Sequence, residues 1–221
     1  MYQSILWDFD GMLFNSYPHM ARAMQLAIQA DGKYAAIQEI MPPLKQFVSI
    51  AMDAFGLSES ARTVYYQKEE EFDLEPLILP YQGIESLLRE LIALGARHFL
   101  YTHRNHTAFA YLERAGIRDC FTGAVTSEDN FPPKPAPDAI LFLCERYGLE
   151  KDSAIMLGDR EIDVLSGINA GIHSCLFDEF CFHPHTAAEH TVTSISELRQ
   201  YLLEEGNAPR QLNHIEKGEK P

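Results

Sequence analysis

Short apolar runs and longer amphipathic stretches alternate along most of this 221-residue chain. Apolar runs of four or five residues bounded by Gly, Asp or Pro are typical of buried strands, whereas apolar residues spaced three and four apart are typical of helices. The strands predicted in this way cover residues 4–7, 98–102, 121–125, 154–157 and 174–177. The helices predicted between them cover residues 83–94, 108–115, 137–148 and 162–170. This alternation predicts an α/β fold with a doubly wound, Rossmann-like parallel sheet.

The stretch between the first two predicted strands has a purely helical pattern. A first helix is expected to begin at Ser16, with Pro18 in its first turn. A second is expected to follow Pro42 and Pro43 as far as residue 55, and a third to run from residue 58 to about residue 72. We therefore divide the chain into an α/β core (1–15 and 81–205), an inserted α-helical cap (16–80) and a polar C-terminal tail (206–221).

The composition is that of a globular protein with a strongly acidic balance. Hydrophobic residues make up 46% of the chain and charged residues 23%, and the formal net charge is -14. Nucleic acids and anionic membranes require a basic surface, so neither is expected as a partner, whereas a small anionic metabolite held by local cations is compatible. No apolar run approaches the roughly 18 residues of a membrane span and no basic leader precedes an apolar one, so we expect a cytoplasmic protein. Monomer and dimer both stay open.

Two carboxylates, Asp8 and Asp10, end the first predicted strand and are followed by Gly11. Side chains two apart in an extended segment point to the same side, so these like charges repel unless a cation lies between them. The glycine allows the backbone to turn sharply away. The pair fits a simple strand-end turn and also a site for a cation and a phosphate.

Further polar signals follow at the ends of predicted strands or in adjoining loops. Thr102 ends the second strand, where its hydroxyl can donate to a phosphate oxygen. Lys134 lies in a loop between prolines, and Asp159 and Asp163 form Gly-Asp-x-x-x-Asp after the fourth strand, one helical turn apart. Each also has an explanation without a ligand: a strand-end threonine, a solvated lysine, a helix cap. However, ligands of parallel sheets bind at the carboxyl ends of strands, where these residues lie.

The order of these signals along the chain resembles the haloacid dehalogenase superfamily, specifically its phosphatases with a helical cap inserted after the first motif. The similarity spans residues 4–177, and residues 8–18 are most similar to the phosphoglycolate phosphatase branch. The resemblance implies a Mg2+-dependent phosphomonoesterase that hydrolyses a small phosphorylated metabolite. The presence of Asp10 favours a phosphatase over a dehalogenase, because a departing halide needs no acid.

The resemblance also implies roles for individual residues. Asp8 is expected to be the nucleophile that forms an aspartyl-phosphate, and Asp10 the general acid and base. The phosphate is expected to be held by Thr102, by Lys134 and by backbone amides near His103. Lys134 is counted as catalytic as well, because it would offset the charge that develops at Asp8.

The magnesium ligands implied by the resemblance come from the same motifs. They correspond to Asp8, to the backbone carbonyl of Asp10 and to Asp159. A cation there would explain how several carboxylates tolerate one another. Asp163 is expected to orient Lys134 or a metal-bound water, or to bind the ion through water.

The chain departs from the family pattern at positions outside the implied catalytic set. Met12 stands where Thr is usual, Asn15 where Asp is usual, His103 where Asn is usual, and Arg160 where Ser or Thr is usual. These departures argue against assigning phosphoglycolate itself as the substrate. His103, Arg104 and Arg160 either add positive potential at the mouth of the cleft or face solvent as loop residues.

Two further groups of polar residues are candidates for binding. Specificity in this branch usually comes from the cap, and the cap residues considered for it are His19, Arg22 and Lys45. A transition-metal site is conceivable in the loop histidines His183, His185 and His190. That loop lacks carboxylate or cysteine partners at the usual spacing, which makes a solvated loop the simpler interpretation.

Two alternatives to the phosphatase stay open. A sugar-phosphate mutase of the β-phosphoglucomutase type uses the same catalytic residues and returns the phosphate to the substrate. A non-catalytic protein that binds a phosphorylated metabolite, or a regulatory protein on this scaffold, belongs to another class. The second alternative predicts the loss of a catalytic position, whereas all the implied ones are present.

Overall fold

A computed structural model of the chain describes residues 2–73 and 78–204. The strands are β1 (Ser4–Trp7), β2 (Arg97–Tyr101), β3 (Phe121–Val125), β4 (Ala154–Gly158), β5 (His173–Phe177) and β6 (His190–Val192). The helices are α1 (Tyr17–Ala30), α2 (Ile37–Gln46), α3 (Val48–Ala54), α4 (Glu59–Asp73), α5 (Ile84–Ala93), α6 (Thr107–Arg114), α7 (Asp138–Tyr147), α8 (Glu161–Ala170) and α9 (Ile195–Glu204). The strands form one parallel sheet in the order β3-β2-β1-β4-β5-β6, which confirms the predicted α/β fold.

The strand order reverses at β1, which lies between β2 and β4. Trp7, the last residue of β1, is level with Leu100 on β2 and with Leu157 on β4. The carboxyl ends of these three strands therefore meet at one edge of the sheet. In doubly wound folds this reversal opens the crevice in which ligands bind.

The central strands are buried on both faces. In β1, Ile5 and Trp7 belong to one hydrophobic cluster and Leu6 to another, as the alternation of strand side chains requires. Apolar residues of α5, α6 and α9 complete the first cluster, and those of α7 complete the second. Burial on both faces explains why the strands read as continuous apolar runs rather than as alternating patterns.

Helices α1 to α4 surround a separate hydrophobic cluster, whose larger members are Tyr17, Met24, Ile28, Ile40, Leu44, Met52 and Tyr65. The chain leaves the sheet and returns to it at adjacent points. Asn15 N donates to Leu79 O at 3.1 Å, and Tyr81 N donates to Leu13 O at 3.0 Å. These observations support our proposal that residues 16–80 form the cap and that residues 1–15 and 81–205 form the core.

The prediction of a helix that begins after Pro42 and Pro43 and continues to residue 55 is wrong. Helix α2 begins at Ile37 and contains both prolines. The carbonyls that the prolines cannot bond belong to Gln38 and Glu39, which are exposed, so water can satisfy them. Phe47 then adopts an extended conformation, with φ -158° and ψ 150°, and separates α2 from α3.

The C-terminal part of the sheet contains two elements that the sequence analysis does not predict, β6 and α9. A signal was present, since Ser194 and Glu197 have the spacing of a capping pair, and Glu197 N donates to Ser194 Oγ at 3.2 Å. The predicted polar tail, residues 206–221, lies outside the described residues. Within the described part of the chain, no helix combines the length and apolar character that a membrane crossing requires.

Candidate active site

Three of the predicted site residues directly follow adjacent strands. Asp8 follows β1, Thr102 follows β2 and Asp159 follows β4, and their exposed fractions are 1%, 2% and 0%. Because the three strands end level with one another, the side chains meet in the crevice at the reversal of strand order. The structure thus brings together residues that are up to 151 positions apart in the printed numbering, 8 to 159.

Lys134 joins two of the carboxylates. Its Nζ lies 2.6 Å from Asp8 Oδ1 and 2.7 Å from Asp163 Oδ1, and it donates to Tyr101 O at 2.9 Å. The side chain is fully buried, so these contacts are shielded from water. Burial alone would raise the pKa of Asp163, but Lys134 and Arg160 outweigh it and hold that pKa below its usual value. Asp163 therefore fixes the position of the lysine as an ionised partner.

Asp8 is held between a cation and other carboxylates. Burial raises its pKa to about 7, against the opposing effect of Lys134. Oxygens of Asp8, Asp159 and Asp163 lie within 4.8 Å of one another. Among the described residues, Asp8 Oδ2 and both carboxylate oxygens of Asp159 are buried without a hydrogen bond.

This set of buried oxygens fits a hard divalent cation such as Mg2+, which prefers carboxylate and carbonyl oxygens. A bound cation would satisfy the unbonded oxygens of Asp159 and offset the repulsion between Asp8 and Asp159. The carboxylate of Asp10 is not part of this cluster, which leaves its backbone carbonyl as the group that the family resemblance assigns to the ion.

Two glycines allow the acidic groups to approach the backbone. Gly11 has φ +75°, and a Cβ there would lie 2.6 Å from Asp159 Oδ2 and would overlap the ring of Tyr17. A Cβ on Gly158 would lie 2.6 Å from Asp163 Oδ2. A side chain at either position would displace a carboxylate of the site. This explains why glycine follows Asp10 and precedes Asp159.

Asp10 is held by Arg104. The guanidinium donates from Nη2 to Asp10 Oδ1 at 2.9 Å and from Nε to Oδ2 at 3.2 Å. Its carbon lies 5.2 Å from the ring centre of Phe9 and 5.6 Å from that of Tyr111. Burial alone would raise the pKa of Asp10, but Arg104 outweighs it and holds the pKa below its usual value. Of the two sequence interpretations, a solvent-facing Arg104 is wrong, because only 9% of its side chain is exposed.

Thr102 and His103 are neighbours in the chain but offer the site different hydrogen-bonding groups. The hydroxyl of Thr102 accepts a hydrogen bond from Arg104 N at 3.0 Å, so its proton is available to a phosphate oxygen. Nε2 of His103 accepts a hydrogen bond from Lys134 N at 3.1 Å, and burial lowers the pKa of His103 to about 4. The interpretation of His103 as a positive charge is therefore wrong at neutral pH. Arg160 does bring positive charge, with Nε 3.9 Å from Asp159 Oδ1 and from Asp163 Oδ2.

One of the three cap residues considered for specificity reaches the site. Lys45 is 2% exposed, and its Nζ lies 3.3 Å from Asp159 Oδ2 and 4.8 Å from the ring centre of Tyr17. Arg22 is exposed and His19 is half-buried, and neither is among the described residues that line the adjoining cavity. Lys45 thus links the cap to the proposed metal ligand Asp159.

A cavity of about 770 Å³ opens next to these residues. From the core it is lined by residues that follow β1 and β2, by residues of α6 and by the residue before α8, among them Asp10, His103, Arg104, Asn105, Thr107, Tyr111, Arg114 and Arg160. From the cap it is lined mainly by apolar and aromatic residues, among them Tyr17, Met20, Leu44, Phe47, Val48 and Tyr66. The cavity therefore has the size of a pocket for a small molecule.

A family model described as haloacid dehalogenase-like hydrolase matches residues 5–177, which include β2 to β5 and all of β1 except its first residue. The chain belongs to this family. Among curated relatives, a phosphoglycolate phosphatase of Vibrio parahaemolyticus is 31% identical over 189 residues, covering 77% of this chain and 81% of that protein. A pyrophosphatase, PpaX, of Halalkalibacterium halodurans is 27% identical over 179 residues, covering 78% of this chain and 82% of that protein.

Solved structures of the family agree with the fold. A hydrolase from Streptococcus pneumoniae superposes with a TM-score of 0.68 and 30% identity, covering 91% of this chain and 98% of that one. The resemblance inferred from the motifs is thereby confirmed at the level of the family. The relatives' names include both phosphoglycolate phosphatase and pyrophosphatase, so they do not share one substrate.

Four residues of this haloacid dehalogenase-like hydrolase depart from the family pattern, and they lie in different environments. Met12 is fully buried and Asn15 is exposed, and neither is among the described residues that line the cavity. His103 and Arg160 do line it. The departures at the site are thus His103 and Arg160, which line the cavity together with Arg104.

The loop histidines do not form a metal site in this member of the family. Within residues 2–73 and 78–204, the one group of His, Cys, Asp or Glu side chains with metal-binding spacing consists of Asp8, Asp159 and Asp163. His190 instead stacks on Tyr201, with ring centres 4.1 Å apart. The suggestion of a transition-metal site at His183, His185 and His190 therefore has no support in the geometry.

Proposed function

We propose that the chain is a Mg2+-dependent phosphomonoesterase that works through a phosphorylated Asp8. The observation that carries this proposal is the state of the Asp8 carboxylate. One oxygen is bound by Lys134 at 2.6 Å, and the other is buried without a hydrogen bond and can attack a phosphorus atom. The names of the curated relatives, which are phosphatases, support the same reaction class.

In the first step, Asp8 Oδ2 forms a bond to phosphorus while the bond from phosphorus to the ester oxygen breaks. The departing oxygen takes a proton from Asp10, so the alcohol leaves uncharged. Asp10 must be protonated for this step, and one arm of Arg104 has to release the protonated oxygen. Lys134 offsets the charge on the Asp8 carboxylate and, with the hydroxyl of Thr102, holds the phosphoryl oxygens.

In the second step, water attacks the phosphorus of the aspartyl-phosphate, and Asp10 accepts the proton of that water. The ionised Asp10 held by Arg104 is the form that this step requires. The products are free phosphate and a regenerated Asp8. Asp163 keeps Lys134 in place through both steps, since its Oδ1 lies 2.7 Å from Lys134 Nζ.

The divalent cation would be held by Asp8, by the backbone carbonyl of Asp10 and by Asp159. When bound, such an ion polarises the phosphoryl group and neutralises part of its charge. The residues of the chain fit this assignment because both carboxylate oxygens of Asp159 are buried without a hydrogen bond and lie close to the Asp8 carboxylate.

The test is the substitution Asp8→Asn, with phosphate release from an aryl phosphate measured in the presence of Mg2+. The amide is a poor nucleophile, so we expect turnover to fall by about a thousandfold or more. The matched control is Asp53→Asn, which removes an aspartate whose side chain is 70% exposed, and it should keep full activity. Normal turnover by Asp8→Asn would refute the covalent mechanism. With hexose phosphates, an isomer formed without free phosphate would indicate a mutase instead.

A further inference from the structure

The size and lining of the cavity beside the catalytic residues limit which alcohol the substrate can contain. Its volume of about 770 Å³ is in the range of pockets that enclose drug-sized molecules. It begins at Asp10, the residue that would protonate the leaving alcohol, so the alcohol has to occupy it. A two-carbon leaving group would fill a small part of this space.

The wall that the cap contributes is suited to an apolar surface. Phe47 and Tyr66 both line the cavity, and 37% and 57% of their surfaces are exposed. Met20 and Val48, which are half-buried, lie in the same wall. Phe47 is the extended residue between α2 and α3, and the Arg160 guanidinium lies 5.8 Å from its ring. A flat ligand that covers these side chains would remove apolar area from water and stack on the rings.

The charges of the site are already balanced before any ligand binds. Four carboxylates contact four cations within the site: Asp8, Asp10, Asp159 and Asp163 against Lys45, Arg104, Lys134 and Arg160. A divalent cation and a phosphate dianion add opposite and equal charges. The remaining charged residues of the cavity wall, Glu69 and Arg114, also have opposite signs.

A second anionic group beside the phosphate would therefore compete with carboxylates for the cations of the catalytic residues. Arg104 is bound at both ends of its fork by Asp10, and Lys45 is in contact with Asp159. His103 adds no positive charge, because its Nε2 accepts a hydrogen bond from Lys134 N. Drawing one of these cations away from its carboxylate would cost binding free energy.

We infer that the substrate is a phosphomonoester of an alcohol with a flat, apolar body, and that this body packs against Phe47 and Tyr66. The inference rests on the proposed function and specifies its substrate class. It separates the chain from enzymes whose substrate is a small phosphorylated carboxylic acid or inorganic pyrophosphate.

The experiment compares four probes with the purified full chain and Mg2+: 2-phenylethyl phosphate, ethyl phosphate, 2-phosphoglycolate and pyrophosphate. The three esters all release a primary alcohol, so differences in kcat/KM report mainly on the leaving group's contacts. We expect kcat/KM for 2-phenylethyl phosphate to exceed that for ethyl phosphate by about 10- to 100-fold, because one ring is buried. The excess over 2-phosphoglycolate should be at least as large.

Variants locate the preference in the cavity. Phe47→Ala and, as a second variant, Tyr66→Ala should each reduce the preference for 2-phenylethyl over ethyl phosphate by about tenfold. The matched control is Tyr34→Ala, since Tyr34 is a cap aromatic that is 79% exposed and is not among the residues lining the cavity. It should keep the full preference.

Equal or better turnover of 2-phosphoglycolate or pyrophosphate would overturn the inference while leaving the phosphatase assignment intact. A preference that both cavity variants leave unchanged would also overturn it. The proposed function would fail in a different way: none of the four probes, and no aryl phosphate, would be hydrolysed.

Discussion

Arg104 shows how one residue outside the recognised motifs shapes the site. Both oxygens of Asp10 accept hydrogen bonds from its guanidinium, which also lies close to the rings of Phe9 and Tyr111. A planar fork held in this way fixes the plane of the carboxylate as well as its position. Asp10 is thereby kept facing the cavity in which the leaving alcohol would bind.

We expect Arg104→Ala to lower kcat by about 10- to 100-fold with a smaller change in KM, because Asp10 loses its fixed orientation. Arg104→Lys should recover part of the loss, since lysine restores the charge without the fork. Steady-state kinetics on one phosphomonoester provide the measurement.

The control is Arg146→Ala, which removes an exposed arginine that also lies near two aromatic rings, those of Phe142 and Tyr147. If Arg104 acts through Asp10, its removal should have little further effect in an Asp10→Asn background. Fully additive losses in the double variant would contradict this role.

The sequence predicted those candidate site residues whose positions depend on the ends of strands. It did not predict the contact between Asp10 and Arg104. Asp8, Thr102 and Asp159 follow level, parallel strands, so topology alone brings them together. The contact between Asp10 and Arg104 spans 94 positions and depends on the course of the loop after β2 and on two supporting rings. Side-chain contacts of this kind leave no periodic signal in a sequence.

At the scale of elements, α2 decides which cap residue reaches the core. Because α2 begins at Ile37 and ends at Gln46, Lys45 lies in its last turn and contacts Asp159. Lys45 is among the cap residues expected from the sequence to matter for specificity, whereas the helix is expected there to begin only after the prolines. Prolines near a helix start are hard to interpret, because the cost of their missing N–H groups depends on whether water reaches the unbonded carbonyls.

We expect Lys45→Met to increase the affinity for Mg2+ by about tenfold, because a like charge is removed from beside a metal ligand. Isothermal titration calorimetry with Mg2+ in the absence of substrate measures this directly. The control is Lys151→Met, since Lys151 is exposed and bonds Ala170 O, outside the site. Unchanged or weaker binding by Lys45→Met would show that the lysine does not share Asp159 with the ion in solution.

At the scale of the whole molecule, His98 connects the sheet to a helix that covers it. Its Nδ1 accepts from Trp7 Nε1 at 3.0 Å, and its Nε2 donates to Leu88 O at 3.1 Å. These bonds require the neutral ring and join β1, β2 and α5. Burial lowers the pKa of His98 from 6.5 to about 4.

The pH dependence of stability follows from this shift. Between pH 6.5 and about 4 the unfolded chain binds a proton that the folded chain excludes, so stability is lost as the pH falls through this window. We expect His98 to contribute a loss of about 3 kcal/mol over the whole window, most of it above pH 4.5. Urea unfolding at pH 7.5 and pH 4.5 measures it, and a His98→Gln variant, which does not titrate there, should show a smaller difference. An equal loss in both proteins would assign the effect to other groups.

The overall architecture was predictable because it depends on features that repeat along the chain. Apolar runs alternate with amphipathic helices up to β5, and right-handed crossovers then allow few arrangements. The last unit, β6 and α9, was missed because β6 has only three residues, too few to show a period. Its presence extends the sheet by one strand and leaves the crevice unchanged.

Backbone hydrogen bonds join residues 13–15 to residues 79–81, at the place where the cap is connected to the core. The inserted segment, residues 16–80, therefore begins and ends at one place on the core. The entropy cost of closing a loop rises only slowly with its length, so segments of different size can be exchanged there. Inserted segments of different length and polarity can therefore take the place of residues 16–80 while Asp8, Asp10 and the strand ends beneath them keep their positions.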